Sequence, residues 1–269
     1  MLLTSTRAVP NAPIDRLSDY DVILIMTDIQ PWVTDRAWLG DFGEVLVVYW
    51  DPVYHDPEFD CARSGNVTQY TSGLKIDFTL WPVTMLQKII DQPILPPELD
   101  AGYRILLDKD QLATKLRPPT GSAYIPQRPS LAVYQTLIND FLSDAPYVAK
   151  CLWRDELLPA KWCLDSDMKQ TYLRQLLEWR MAIDHNWAVP TGALGKGLKK
   201  RLPPAIWAQV EESFADGQIA NNWQSLTRTM ALFRQLAVEV GHHLGYDYPH
   251  DLHSRVQAYV EQIKHLHRP

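Results

Sequence analysis

The sequence predicts an α/β first half followed by an all-helical second half. Residues 1–110 carry short β-branched or aromatic runs bounded by turn residues, the mark of strands. From Tyr134 onward, apolar residues recur at helical spacing. Between these regions, Arg117 to Pro129 contains Pro118, Pro119, Pro126 and Pro129. Proline disfavours continuing either kind of element, so the boundary is placed there, giving domains 1–125 and 126–269.

The predicted strands are "MLLTST" (1–6), "DVILIMTDI" (21–29), "GEVLVVYW" (43–50), "VTQYT" (67–71), "LKIDFTLW" (74–81) and "GYRILLDKD" (102–110). Ser72-Gly73 reads as a tight hairpin turn between two of them. Helices are predicted at 35–42 and 83–91. In the second half, Tyr134, Leu137, Ile138, Phe141 and Leu142 make one apolar stripe, and Leu173, Leu176, Leu177 and Met181 a second. Leu226, Met230, Phe233, Leu236, Ala237 and Val240 make a third, terminated by Gly245. A last helix is predicted at 252–266.

With 269 residues, 46% of them hydrophobic, the chain can bury a substantial core. No run of about 18 apolar residues is present, so no membrane span is expected. The start "MLLTSTRAVP" lacks a basic leader region and a cleavage pattern, so no signal peptide is expected. Cys61, Cys151 and Cys163 are dispersed, which suits a reducing cytoplasm better than a disulfide scaffold. The net charge of −6 is uneven: residues 1–125 hold 10 Lys/Arg against 17 Asp/Glu, and residues 126–269 hold 16 against 15. An acidic surface disfavours nucleic acid and suits a cationic substrate or metal ions. A monomer with no nucleic-acid or membrane partner is expected.

Asp19 and Asp21 stand at the mouth of the second strand. Residues two apart in a strand share a face, about 7 Å apart. Two unpaired carboxylates so placed repel, and a divalent cation between them relieves the repulsion. Mg²⁺ prefers such oxygen ligands together with substrate phosphates. A solvated acidic turn before a strand would have the same spacing. Asp77, between Ile76 and Phe78, is unexpected in a half-buried strand and can join the other two if its strand lies beside theirs. Thr4, Ser5 and Thr6 precede the acids and offer hydroxyls and backbone N–H groups to a phosphate. Three acids and such a turn are the minimum for metal-assisted nucleotidyl transfer.

The Ser/Thr turn, the Asp-x-Asp and the third Asp resemble the nucleotidyltransferase superfamily. More closely, "LSDYDVILIMTDI", "WLGDFGEVLVV", "GLKIDFTLWPV", "RILLDKD", "PYVAKCLWRDEL" and "LFRQLAVEVGHHLGYDYP" resemble, in order and over nearly the whole chain, the aminoglycoside 6-adenylyltransferases. The resemblance implies a nucleotidyltransferase-like mixed sheet with flanking helices, then a helical substrate- and ATP-binding domain. It implies transfer of AMP from Mg²⁺-bound ATP to a hydroxyl of streptomycin, a resistance activity. Asp19, Asp21 and Asp77 would hold the metal, Asp77 would also be the general base, and Ser5, Thr6 and Arg7 would meet the nucleotide. The family's Gly-Ser-Arg is here Ser5-Thr6-Arg7, and the family's helix ahead of this motif has no counterpart in a sequence that begins almost at the strand. A nucleotidyltransferase for another small hydroxylated acceptor, and a silent nucleotide-binding relative, remain open.

Lys150, on a predicted helix, is a candidate for the ATP triphosphate, and Lys196 in "GKGLKKR" is a second. Asp155, Glu156 and Asp184 are candidates for the acceptor's guanidinium groups, which pair with carboxylates through two hydrogen bonds. For Lys150 the phosphate role is the favoured reading, whereas a solvated loop would account for Lys196 and surface positions for the three acids more simply. His242, His243, His250 and His253 lack zinc-ligand spacing.

Overall fold

The computed structural model describes residues 1–9 and 12–267. The chain forms two units, Met1–Tyr124 and Ile125–Pro269. The first is built on seven strands: β1 (Leu2–Thr4), β2 (Tyr20–Met26), β3 (Val45–Trp50), β4 (Tyr54–Asp56), β5 (Cys61–Tyr70), β6 (Lys75–Pro82) and β7 (Tyr103–Ile105). Their order is β3-β5-β6-β2-β1-β7, with β4 paired to β5 beyond this path. Among the described residues only β2 and β6 run parallel; the other pairs are antiparallel, so the sheet is mixed. Three short helices accompany it: α1 (Gln30–Thr34), α2 (Val83–Asp91) and α3 (Pro97–Asp100).

Strand alternation gives the sheet two apolar faces. Leu2, Ile23 and Trp81 pack with Met85, Leu86 and Ile89 of α2 and with Leu99 of α3. Leu3, Val22, Ile76 and Phe78 point the other way, against Leu39 and Trp38. Helices α2 and α3 therefore cover the face to which Asp21 and Asp77, in phase with Ile23 and Trp81, also belong.

Several predicted elements differ in detail. The run 102–110 forms a strand only over Tyr103–Ile105. The predicted helix at 35–42 is a 3₁₀ segment, Ala37–Phe42. Strand β5 begins at Cys61, well before the predicted Val67. Its early part was illegible because Ser64 and Asn66, both polar, occupy buried positions there. Asp19 lies just ahead of β2 rather than in it, so strand alternation does not govern where its side chain points.

The second unit contains α4 (Leu131–Trp153), α5 (Leu157–Lys161), a π-helical stretch (Trp162–Leu173), α6 (Arg174–Asp184), α7 (Leu198–Arg201), α8 (Pro204–Ser213), α9 (Ile219–Leu244) and α10 (His250–Lys264). Ser130 caps α4 by accepting a hydrogen bond from the Val133 N–H. Phe141 of α4 stacks on Phe233 of α9, their centroids 3.6 Å apart. Gly241 of α9 lies against Tyr134, whose hydroxyl would be 2.5 Å from any Cβ there. Helix α9 ends at Gly245 in the left-handed conformation, φ 75°. Among the described residues, no helix is long and apolar enough to cross a membrane.

Candidate active site

Strands β2 and β6 are neighbours, and Asp21 is in direct register with Asp77. In-register residues of adjacent strands point to the same side, so the two carboxylates share a face. Thr4, opposite Asp21 on β1, completes a row across three strands. The 3₁₀ turn Ser5–Arg7 follows β1 directly, and the Ser5 side chain bonds the Asp21 carboxylate. These residues line a cleft of about 350 Å³ that also reaches Ile23, Thr79, Trp81, Gly65 and Asp51. A larger cavity, about 590 Å³, lies between α9 and α10 and holds none of the predicted site residues.

Arg7 pins the loop that carries Asp19. Its Nε donates to the Asp19 carbonyl at 3.0 Å, its Nη2 donates to the Ser18 carbonyl at 2.8 Å, and its guanidinium lies 3.9 Å from the centroid of the Tyr20 ring. These bonds make Arg7 a positioning residue for the acidic loop. Thr6 sits between Ser5 and Arg7 in the same turn.

Asp19 is joined to the pair through Lys75, a residue the sequence reading passed over. Lys75 Nζ donates to Asp19 Oδ2 at 2.5 Å and to Asp77 Oδ2 at 3.1 Å. Its signal was present: Lys75 lies two residues before Asp77 in one strand and so shares its face.

Burial, and then the charge of Asp77, push the Asp21 carboxyl above the usual carboxylate range; the Ser5 bond acts against them. Burial raises Asp77 as well, although Lys75 opposes the rise. Burial alone would lower the Lys75 ammonium, but its bonds to Asp19 and Asp77 outweigh this and raise it. Asp77 Oδ1 is buried without a hydrogen-bond partner among the described residues. An unsatisfied carboxylate oxygen beside a second carboxylate is the donor chemistry of a hard divalent cation, so the residues fit one.

The remaining predicted residues lie in the second unit. Lys150 is exposed on α4, its Nζ 5.8 Å from the centroid of the Tyr259 ring. Lys196 is exposed in the loop before α7. Asp155 and Glu156 are exposed in the turn between α4 and α5, Asp155 with φ 64°. Asp184 is held in an ion pair with Arg180, whose Nε also reaches Glu239 at 2.8 Å. Asp144, Cys163 and Asp167 also cluster, their ligating atoms all within 4.8 Å of one another. Burial and the neighbouring acids push the Cys163 thiol up to about 12, and it bonds Asp144.

A family model described as streptomycin adenylyltransferase matches residues 1–263. The chain belongs to the streptomycin adenylyltransferase family. It is 28% identical over 253 residues to the aminoglycoside 6-adenylyltransferase of Campylobacter jejuni, covering 92% of this chain and 83% of that protein. It is 27% identical over 265 residues to the aminoglycoside 6-adenylyltransferase of Bacillus subtilis (strain 168), covering 97% and 89%. A crystal structure of an aminoglycoside 6-adenyltransferase from Bacillus subtilis aligns over 92% of this chain and 89% of that one, with a TM-score of 0.48 and 23% identity. Membership of the streptomycin adenylyltransferase family makes the chain a nucleotidyltransferase, and the paired acids of β2 and β6 are its candidate catalytic residues.

Proposed function

We propose that this protein transfers AMP from Mg²⁺-bound ATP to a hydroxyl of an aminoglycoside, with streptomycin as the acceptor, and so confers resistance. The observation that carries this reading is the register of Asp21 with Asp77 on parallel strands, beside the Ser5–Arg7 turn. The names of the matched relatives support the aminoglycoside as the acceptor class.

Asp19, Asp21 and Asp77 would hold the magnesium, whose charge would offset that of the α-phosphate and of the departing pyrophosphate. The turn Ser5-Thr6-Arg7 would take the phosphates, Ser5 and Thr6 by contact and Arg7 by holding the loop in place. Asp77 would accept the proton of the attacking hydroxyl. The acceptor oxygen bonds to the α-phosphorus as the bond from that phosphorus to the bridging oxygen breaks, releasing pyrophosphate. In the second unit, Lys150 and Lys196 would meet the triphosphate, and Asp155, Glu156 and Asp184 the acceptor's cationic groups.

The test is incubation of the protein with MgATP and streptomycin, followed by mass spectrometry. The expected product is streptomycin carrying one added AMP, formed together with pyrophosphate. ATP binding without any such adduct would refute the reading.

A further inference from the structure

The active-site cleft extends beyond the catalytic acids to a side of the sheet that the proposed function leaves without a role. Transfer at phosphorus sets the attacking and leaving oxygens roughly in line, on opposite sides of the phosphorus. The Ser5–Arg7 turn, on the β1 side of Asp21, is the place for the leaving pyrophosphate. The sheet continues from Asp77 on β6 to β5 and β3, so the acceptor approaches from that side.

There the cleft is lined by Asp51, which directly follows β3. The Asp51 N–H donates to the Gly65 carbonyl of β5 at 2.9 Å, and the Ser64 hydroxyl donates to the Asp51 carbonyl at 3.1 Å. A Cβ at Gly65 would come within 3.0 Å of Asp51 Oδ2. The bare glycine is what leaves that carboxylate room beside β5. Glu98, the other acid on this side, is held 3.6 Å from Arg63 Nη1. Asp51 makes no ion pair among the described residues; its carboxylate accepts a hydrogen bond from the exposed Tyr49 hydroxyl.

We propose that Asp51, given room by Gly65, receives the guanidinium or ammonium group of the acceptor. The inference rests on the reading of the protein as an aminoglycoside adenylyltransferase, and it names the carboxylate in the first unit that selects a cationic acceptor. A carboxylate–guanidinium pair is a charge-assisted bond, formed with the acceptor before and during transfer alike.

The test uses the full chain with streptomycin as the probe. In MgATP-dependent transfer, D51N is expected to raise the KM for streptomycin about 10- to 100-fold. It should leave kcat and the KM for ATP within about twofold of wild type. G65A keeps the charge but crowds the carboxylate, and is expected to raise the streptomycin KM several-fold, which covers the case that D51N disturbs the turn after β3. Calorimetry without ATP should show the same weakening in streptomycin affinity. Equal affinity of wild type and both variants overturns the inference, as does wild-type protein that binds no streptomycin. Asp51-dependent binding without AMP transfer upholds the inference and overturns the functional reading. Transfer that ignores Asp51 does the reverse.

Discussion

Asp21 and Asp77 lie directly opposite each other on two parallel strands, and the ammonium of Lys75 bonds the second of them while reaching across to Asp19. The acids are thus brought together by a strand pairing between segments more than fifty residues apart, and their mutual repulsion is partly offset by one lysine.

Asp77→Asn should abolish AMP transfer while leaving the nucleotide pocket intact. Loss of a general base costs about 10²- to 10⁴-fold. The measurement pairs kcat from adduct formation with ATP affinity from calorimetry. A variant turning over within tenfold of wild type would remove Asp77 from the role of base.

Lys75→Met should make the protein more dependent on magnesium. Without the ammonium, Asp19 and Asp77 lose their partner, a loss of about 1 kcal/mol. In EDTA the melting temperature should fall by about 2–4 °C. Added MgCl₂ should then raise it by more than it raises the wild type. An identical magnesium response in both proteins would show that the cation does not sit at these acids.

Ser5 holds φ at 58°, a left-handed conformation that a side chain strains and glycine does not. The Ser5 hydroxyl also bonds Asp21, so the clean comparison is Ser5→Gly with Ser5→Ala, both of which lose that bond. The glycine variant should be the more stable by about 1 kcal/mol. Urea unfolding measures the difference. Coincident unfolding curves would mean that the turn relaxes around a Cβ without cost.

His253 is buried, and the Tyr248 hydroxyl lies 2.7 Å from its Nδ1. Burial, reinforced by the charges of Arg234 and His250, lowers its pKa from 6.5 to about 4. Between those values the folded state binds fewer protons than the unfolded chain, so stability falls as the pH falls. The contribution is complete above the unfolded pKa and is lost as the pH drops to that of the folded state, about 3 kcal/mol in all. Asp21, Asp77 and Asp144, whose pKa values are raised, act in the opposite sense, but equally in wild type and variant. His253→Gln should therefore lose less stability than wild type between pH 7 and pH 5. Parallel curves for the two proteins would show that His253 is not the titrating group.

The two kinds of half were legible because apolar periodicity is a local property: the stripes at Tyr134–Leu142 and Leu226–Val240 recur as α4 and α9. The turn at Ser72-Gly73 and the stop at Gly245 were legible because each depends on the conformational freedom of a single residue. The length of β5 was not, since buried positions in its early part carry Ser64 and Asn66 and break the apolar signal. The strand expected across 102–110 shrank to Tyr103–Ile105 because it lies at the sheet's edge and pairs only with the short β1.

By itself the sequence determined that Asp19 and Asp21 stand at the mouth of a strand, that Asp77 was out of place in another, and the order of strand and helix. Tertiary structure alone decided that Asp77 faces Asp21, that Lys75 stands between Asp77 and Asp19, and that Asp51 lies across β5 in the same cleft. The reason is physical: alternation fixes the face of a side chain within one strand, but which strands become neighbours, and in what register, is settled only when both faces of the sheet are buried.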